Sequence, residues 1–241
     1  AMERYRAIAA GAVVLNVKTG EVIAMASVPD FDPNNPVNAL DKDRLNRMSA
    51  GTYEMGSTIK SFTTAMALDS GKFNLNSRID ASRPLVIGRQ TIRDFHGKGR
   101  VLTLPEVFIF SSNIGSGHEA NVVGIEGHRA FLKKMGLLDR MQTELPEVAR
   151  PVEPRVWKKV HSMTISFGHG MMTTPLQTAV GAAALMNGGK LIEPTFLTRT
   201  QAQADQEAQQ VIHPQVSADM RYLYRLNSTA PGGSGKRATV Q

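Results

Sequence analysis

The chain has 241 residues, 41% of them hydrophobic and 20% charged, which suits one large domain or two small ones with a sizeable core. Its 28 basic and 21 acidic side chains give a net charge of +7, but the basic residues are scattered and only 6% of residues are aromatic, which argues against nucleic-acid binding. No cysteine is present, which excludes disulfides and thiolate chemistry, and no apolar run approaches the roughly 18 residues of a membrane-spanning helix.

The first predicted element is a β-hairpin over residues 11–28. Two apolar runs, GAVVLNV and EVIAMASV, are separated by Lys18-Thr19-Gly20, a three-residue loop with glycine where a positive φ is needed. A loop rich in Pro, Asn and Asp follows at 29–36. A two-stranded hairpin alone is marginal in water, so we expect further strands to pair with it.

Helices are predicted over much of the remaining chain. Apolar side chains at helical spacing indicate a helix over about 57–70, with Gly71 as its stop. In TTPLQTAVGAAALMNGG, Thr174 is the predicted N-cap and Gln177 the residue that closes its capping box. The other predicted helices are a short one from a Thr103-x-x-Glu106 capping box to about Ser111, one that begins at Asn113, one in GHRAFLKKMG that ends at Gly136, and one over 217–227.

Two polar stretches in the second half of the chain are predicted to lack regular helices or strands. Residues 138–154 form a loop punctuated by proline, and 198–210 are a solvated face or a flexible excursion. The domain organisation predicted from these patterns is an N-terminal tail or linker over 1–9, one domain over 10–227, and a flexible Gly/Ser-rich tail over 228–241.

The histidines do not predict a metal site. Of the six, only His118-Glu119 resembles the start of a zinc-binding helix, but position 122 is Val122, so a second ligand is lacking. Phosphate-binding glycine loops and the GxSxG nucleophile motif do not occur. We therefore expect no metal and no cofactor.

Ser57-Thr58-Ile59-Lys60 is a candidate nucleophile with its base. A serine hydroxyl is a weak nucleophile until a nearby base accepts its proton, and two residues three apart on a helix share a face. Lys60 can do this only as the neutral amine, which requires desolvation or a cationic neighbour. The pattern alone is weak, because one S-x-x-K is expected by accident in a chain of this size.

Ser111-Ser112-Asn113 is the only S-x-N of the chain and lies 54 residues after Ser57, at a predicted junction between helices. Residues i and i+2 at such a junction can point into the same cleft. Ser111 could then relay a proton to a leaving group, and Asn113 could hydrogen-bond a substrate amide. The alternative is a helix end capped by Ser and Asn.

These motifs and the stretches around them resemble class B penicillin-binding protein transpeptidases, most closely the division-specific septal branch of Gram-negative, alphaproteobacterial bacteria. The stretches on which the resemblance rests include YEMGSTIKSFTTAMALDSG, TIRDFHGKGRVLTLPEVFIFSSNIGSG and ISFGHGMMTTPLQTAVGAAALMNGGKLIEPTFL. The resemblance implies an α+β, serine β-lactamase/transpeptidase-like fold, with a helical subdomain and an antiparallel sheet flanked by helices.

The resemblance also implies roles for four residues. Ser57 is the acylated nucleophile, Lys60 its general base, Ser111 the proton shuttle, and Asn113 a binder of the donor peptide's backbone. The implied substrate is the D-Ala-D-Ala end of a peptidoglycan stem peptide, and β-lactam antibiotics acylate the same serine. Implied partners are a membrane glycosyltransferase and other division proteins, on the periplasmic side of the inner membrane, with the anchor outside this chain.

One family motif does not occur where the resemblance requires it. A Lys-Thr-Gly should follow Asn113 on a strand, but the only such triplet precedes Ser57. We therefore expect a chain truncated before that strand, lacking the rest of the sheet and the C-terminal helix, and largely inactive alone. The alternatives are a serine β-lactamase and a non-catalytic β-lactam sensor or binding module on the same fold.

Overall fold

The computed structural model describes residues 2–238. Its helices are α1 (Met2–Tyr5), α2 (Lys60–Asp69), α3 (Leu104–Ile109), α4 (Asn113–Val123), α5 (Ile125–Lys134), α6 (Lys159–Ile165), α7 (Pro175–Met186), α8 (Gln201–Glu207) and α9 (Pro214–Thr229). Its strands are β1 (Ala10–Leu15), β2 (Val22–Val28), β3 (Arg78–Asp80), β4 (Leu85–Ile87), β5 (Gln90–Ile92), β6 (Val101–Thr103), β7 (Lys190–Leu191) and β8 (Gln209–Gln210). Within this described range, no helix has the length and apolar character needed to cross a membrane.

The strands form antiparallel pairs, and the combination with many helices confirms the α+β fold class. The predicted hairpin is confirmed as β1–β2, which pair from Ala10 with Val28 to Leu15 with Val22, and Gly20 in its loop has a φ of +75°. The other pairs, β3–β6, β4–β5 and β7–β8, were not predicted from the sequence.

Helix α2 lies at the centre of the larger hydrophobic core. Its side chains from Lys60 to Leu68 are all buried, and α3, α4, α5, α7 and α9 pack around it. Helix α7 approaches α2 closely because Gly181 has no side chain: a Cβ at that position would lie 2.9 Å from the ring of Phe62. Full burial of a ring such as Phe62 contributes about 1.5–3 kcal/mol.

Most of the predicted helices are present in the structure. Their ends could be predicted because the residues that cap a helix lie within a few positions of the groups they bond. Both halves of the Thr103–Glu106 capping box are formed at the start of α3. Thr174 caps α7 by accepting a hydrogen bond from the Gln177 backbone N–H. The predicted box at α7 is wrong in one respect: the Gln177 side chain donates to the carbonyls of Gly136 and Asp139 instead, which attaches the end of α5 to α7.

Besides α1, two helices occur where none was predicted. Helix α6 follows the proline-rich loop, and α8 forms inside the polar stretch 198–210, with Thr200 and Gln203 completing a capping box. Only Ala204 of α8 is buried, so its apolar pattern is too sparse to indicate a helix from sequence.

The C-terminal end differs from the predicted flexible tail. Helix α9 covers Pro214–Thr229 rather than 217–227, and the chain then turns back so that the Ser234 N–H donates to the Ile109 carbonyl over 3.0 Å. The last three residues of the predicted tail, 239–241, lie outside the described residues. The predicted N-terminal tail contains α1.

Candidate active site

Ser57 lies in a tight 3₁₀ turn, Gly56–Ile59, that leads directly into α2. Gly56 has a φ of +55°, a conformation that glycine adopts readily and that allows the sharp entry of the chain into this turn. Ser57 is exposed, whereas Lys60, at the first position of α2, is only 5% exposed. Three of the predicted site residues line one cavity of about 230 Å³, whose walls are Ser57, Thr58, Lys60, Ser61, Phe108, Ser111, Tyr224, Asn227 and Ser234.

The ammonium group of Lys60 is held by Ser111. Lys60 Nζ donates to the Ser111 carbonyl over 2.6 Å and to Ser111 Oγ over 2.8 Å. Across residues 2–238, no hydrogen bond joins Lys60 Nζ to Ser57 Oγ, although the two side chains line the same cavity. The lysine side chain is therefore oriented by its hydrogen bonds to Ser111 rather than by one to Ser57.

Burial lowers the pKa of Lys60 from 10.5 to about 8, against the opposing charges of Asp94 and Glu119, which raise it. A lysine with its ordinary pKa is neutral in roughly one molecule in 3,000 at pH 7, whereas a pKa of about 8 makes roughly one in ten neutral. The structure thus provides the desolvation that a lysine base requires.

Ser111 occupies the junction between α3 and α4 in a left-handed conformation, with a φ of +54°. This conformation costs a residue other than glycine roughly 1–2 kcal/mol. It is maintained by backbone hydrogen bonds, from the Ser111 N–H to the Phe108 carbonyl and from the Ser112 N–H to the Val107 carbonyl. The strain directs both oxygen atoms of Ser111 to Lys60, which is the kind of position where strained residues accumulate.

Asp94, in the connection from β5 to β6, fixes the Ser111–Asn113 junction and was not predicted as a site residue. Its carboxylate accepts hydrogen bonds from Ser112 Oγ (2.9 and 3.1 Å) and from the Ile114 N–H (2.9 Å). An acceptor at the N-terminus of α4 also interacts favourably with the helix dipole. No local sequence pattern points to Asp94, because its partners follow it by 18 and 20 residues.

Asn113 is not part of the cavity wall. Its side-chain amide donates to the Arg93 carbonyl over 2.9 Å, so the same connection that contains Asp94 also orients Asn113. The structure therefore places Asn113 next to the cavity, on the first turn of α4.

Helix α9 supplies a wall of the cavity that sequence reasoning missed. Tyr224 donates its hydroxyl to Ser61 Oγ over 2.7 Å and meets Phe108 edge to face, with ring centroids 5.4 Å apart. Burial raises the pKa of Tyr224. The spacing of α9 indicates a buried face, but nothing in the sequence shows that this face meets the start of α2.

A second glycine supports the turn that carries Ser57. Gly168, with a φ of +90°, packs so closely on Gly56 that a Cβ would lie 1.9 Å from the Gly56 carbonyl oxygen. The neighbouring Ser166 carbonyl accepts a hydrogen bond from Thr63 Oγ1 on α2 over 2.8 Å. The segment after α6 thus braces both the 3₁₀ turn and the first turns of α2.

The Lys18-Thr19-Gly20 triplet lies elsewhere and has a structural role. Thr19 Oγ1 donates to Glu21 over 2.6 Å, and Glu21 accepts the Arg199 N–H over 3.0 Å. A Cβ on Gly20 would lie 2.8 Å from the Glu193 carbonyl oxygen. The triplet is the loop of the β1–β2 hairpin, attached to the segment between β7 and α8.

Comparison with known proteins assigns the chain to one family. The model of the penicillin binding protein transpeptidase domain matches residues 10–241. The probable peptidoglycan D,D-transpeptidase FtsI of Caulobacter vibrioides is 41% identical over 241 residues, which cover 100% of this chain and 41% of the relative. The probable peptidoglycan D,D-transpeptidase PenA of Neisseria gonorrhoeae is 34% identical, with 100% of this chain and 41% of the relative covered.

Solved structures agree with the sequence relatives. The transpeptidase domain of Burkholderia pseudomallei penicillin-binding protein 3 superimposes with a TM-score of 0.86 at 25% identity, covering 99% of this chain and 68% of the other. A structure described as a peptidoglycan glycosyltransferase from Burkholderia ambifaria gives a TM-score of 0.86 at 26% identity, covering 99% of this chain and 72% of the other. The chain spans 41% of the length of the first curated relatives it matches.

Proposed function

Because the chain belongs to the penicillin-binding protein transpeptidase family, as a class B transpeptidase domain, we propose that it carries the acylation site of a peptidoglycan D,D-transpeptidase. The observation that carries the proposal is the contact of Lys60 Nζ with Ser111 in the cavity that Ser57 also lines. It gives a nucleophile, a desolvated amine and a second hydroxyl in one small volume.

In the proposed acylation, Ser57 Oγ attacks the carbonyl carbon between the two D-alanines of a stem peptide, and its proton passes to the neutral amine of Lys60. The C–N bond then breaks, and the leaving amine of D-alanine takes a proton through Ser111 Oγ. In the second step an amine of a neighbouring stem peptide attacks the ester, which forms the cross-link and returns Ser57. A β-lactam reacts by the first step, with its ring nitrogen as the leaving group.

Asn113 is the proposed binder of the donor peptide's backbone. An asparagine amide has two N–H donors and a carbonyl oxygen. In the described part of the chain one N–H is used for the Arg93 carbonyl. That bond supports the proposal, since it fixes the orientation in which the remaining groups are presented next to the cavity.

The proposed setting is peptidoglycan synthesis during cell division. The Caulobacter and Neisseria relatives are named as probable peptidoglycan D,D-transpeptidases, which supports peptidoglycan synthesis, and the sequence resemblance to the division-specific branch supports the septal role. We place the domain on the periplasmic side of the inner membrane, with a membrane glycosyltransferase and other division proteins as partners. We propose no nucleic-acid partner, despite the net charge of +7.

Labelling with a fluorescent penicillin tests the proposal. We expect a covalent adduct that mass spectrometry places on Ser57, that Ser57→Ala removes, and that a matched control, Ser70→Ala at the other end of α2, retains. An adduct on another residue, or none after long incubation at high concentration, would contradict the proposal.

The rate of labelling tests a separate expectation. After Asn113 these 241 residues contain no Lys-Thr-Gly, the motif that the family resemblance assigns to carboxylate binding and to an oxyanion-hole amide. Loss of one oxyanion donor costs about 2.7–4 kcal/mol in other enzymes, so we expect slow labelling of this polypeptide alone. Rapid turnover of a chromogenic cephalosporin would instead favour a serine β-lactamase.

A further inference from the structure

A buried carboxyl group that the proposed reaction does not use lies behind the active-site lysine. Glu119, in the middle of α4, has 0% of its surface exposed, and α4 packs against α2. Its carboxyl oxygens lie 3.2 and 3.4 Å from Thr64 Oγ1, which is one helical turn beyond Lys60 on α2. Residues four apart on a helix are neighbours on one face, so Lys60 and Glu119 are on the same side of α2.

The surroundings of Glu119 are poor for a carboxylate. An ionised carboxylate can accept about four hydrogen bonds, and a buried one needs most of them. Among residues 2–238, the single hydroxyl of Thr64 is its hydrogen-bond partner, and one hydroxyl hydrogen can serve only one oxygen at a time. The cation that offsets its charge is Lys60. The ammonium form of Lys60 therefore stabilises the carboxylate form of Glu119, and the carboxylate in turn stabilises the ammonium.

We propose that Glu119 is a positioning residue that sets the protonation state of Lys60, and thus the pH at which Lys60 becomes a base for Ser57. This rests on the proposed role of Lys60 in acylation. When Glu119 is ionised, it holds the proton on Lys60 and blocks general-base catalysis. When Glu119 is protonated, that attraction is absent and the amine is released.

The direction of the effect agrees with the electrostatics of the two groups. Burial raises the pKa of Glu119 from 4.5 to about 8, with Thr64 and Lys60 opposing the increase, and the Glu119 charge raises the pKa of Lys60. Both groups therefore titrate in the same range and must be treated as one coupled pair. Without the carboxylate, the neutral amine of Lys60 is expected at lower pH.

Other ionisable groups lie on the elements that pack around Lys60 and Glu119. Asp94 faces Lys60 and is bonded to Ser112 and Ile114, and it remains in every variant described below. Five further ionisable groups on α2, on α4 or on helices packed against them have partners of their own: His118 interacts with Asp80, His128 bonds Ser162, Glu106 bonds Arg100, Asp69 accepts from the His213 N–H, and Tyr224 bonds Ser61.

A direct titration of Lys60 tests the proposal without requiring activity. The chain is labelled with lysine enriched in ¹³C at Cε, and the Lys60 signal is identified by its absence in Lys60→Arg. We expect the midpoint in Glu119→Gln to be lower than in the wild type by about one pH unit, the low end of the effect of a nearby opposite charge. Glu119→Asp should restore at least half of the difference, and Glu126→Gln, which removes an exposed charge on α5, should leave the midpoint unchanged.

A second variant keeps the test decisive if Glu119→Gln does not fold. Thr64→Val removes the hydroxyl that bonds the carboxylate and leaves Glu119 in place, so the carboxyl group should stay protonated to higher pH and the Lys60 midpoint should fall. An unchanged midpoint in Glu119→Gln, or in Thr64→Val if only that variant folds, overturns the proposal.

The pH dependence of Ser57 labelling provides the functional measurement. In Glu119→Gln the acidic limb of the rate profile should move to lower pH together with the Lys60 midpoint. If wild-type protein is not labelled at any pH, the proposed acylation at Ser57 is wrong, whereas the titration still decides the role of Glu119. A Lys60 midpoint that moves while the acidic limb of a measurable profile stays in place also overturns the proposal.

Discussion

Substitution of Gly168 by alanine tests whether the segment after α6 positions the nucleophile. The added Cβ would lie 1.9 Å from the oxygen, 2.3 Å from the carbonyl carbon and 2.5 Å from the Cα of Gly56, all of them backbone atoms. Overpacking of this kind costs about 1–3 kcal/mol, and the φ of +90° adds roughly 1–2 kcal/mol for a residue with a side chain. We expect Gly168→Ala to lose about 2–5 kcal/mol of unfolding free energy.

Gly170 provides a matched control only two residues away. Its φ is +93°, but the nearest atom to an added Cβ is Thr164 Oγ1 at 3.6 Å, an ordinary contact. Gly170→Ala should therefore show the conformational cost without the clash. Urea unfolding of both variants isolates the packing contribution as their difference, about 1–3 kcal/mol. Equal unfolding free energies for the two variants would refute the reasoning.

The same substitution should affect Ser57 more than stability alone predicts. To relieve the clash, Gly56 and the adjacent Ser57 must move by about 1 Å, and a displacement of that size at a catalytic group can cost roughly 10²-fold in rate. Under conditions where both variants are fully folded, labelling of Ser57 by fluorescent penicillin should be slower in Gly168→Ala than in Gly170→Ala.

Three further predictions concern single side chains around the site. Because burial lowers the pKa of Lys60 from 10.5 to about 8, the unfolded chain binds that proton more tightly. The wild type should therefore gain up to about 3 kcal/mol of stability between pH 8 and 10.5 that Lys60→Met does not gain, and parallel pH dependences in urea unfolding would contradict this. At Ser111, glycine accepts the φ of +54° and alanine does not, so Ser111→Gly should be more stable than Ser111→Ala by about 1 kcal/mol, with labelling slowed in both. Thr103→Ala removes the N-cap of α3 and should lower the unfolding free energy by about 0.5–2 kcal/mol, and a melting temperature equal to that of the wild type would show that the cap contributes nothing.

The elements that could be predicted from sequence are those whose signals are local. The Thr103–Glu106 box and the Thr174 cap lie within four residues of the groups they bond, and both are present in the structure. The β1–β2 hairpin joins two strands through a loop whose glycine has the expected positive φ. In the unpredicted pairs β3–β6 and β7–β8, each strand has only two or three residues, and the paired residues are 18 to 25 positions apart in the chain. Strands this short show neither a hydrophobic alternation nor a β-strand propensity that could reveal them from the sequence.

The residues of the candidate site also separate into those with a local sequence signal and those without one. Ser57, Lys60 and Ser111 were predicted from motif spacing, and the structure brings them to one cavity. Asp94 and Tyr224 were missed, because each meets its partners through tertiary contacts across 18 residues or more. The sequence also placed Glu119 only in a rejected metal motif, since nothing local shows that its carboxyl group is buried behind Lys60.

What makes Lys60 suitable as a base is therefore a property of several elements together. Its burial comes from the packing around α2, its orientation from the strained Ser111, and its electrostatic balance from Asp94 and Glu119 on two other segments. Lys18 lacks this environment although it begins a Lys-Thr-Gly triplet, the sequence of a family motif. That triplet forms the loop of the β1–β2 hairpin, and the adjacent Glu21 bonds to the segment after β7. Residue type and spacing thus identify candidates, whereas the surrounding contacts decide which lysine can lose its proton near neutral pH.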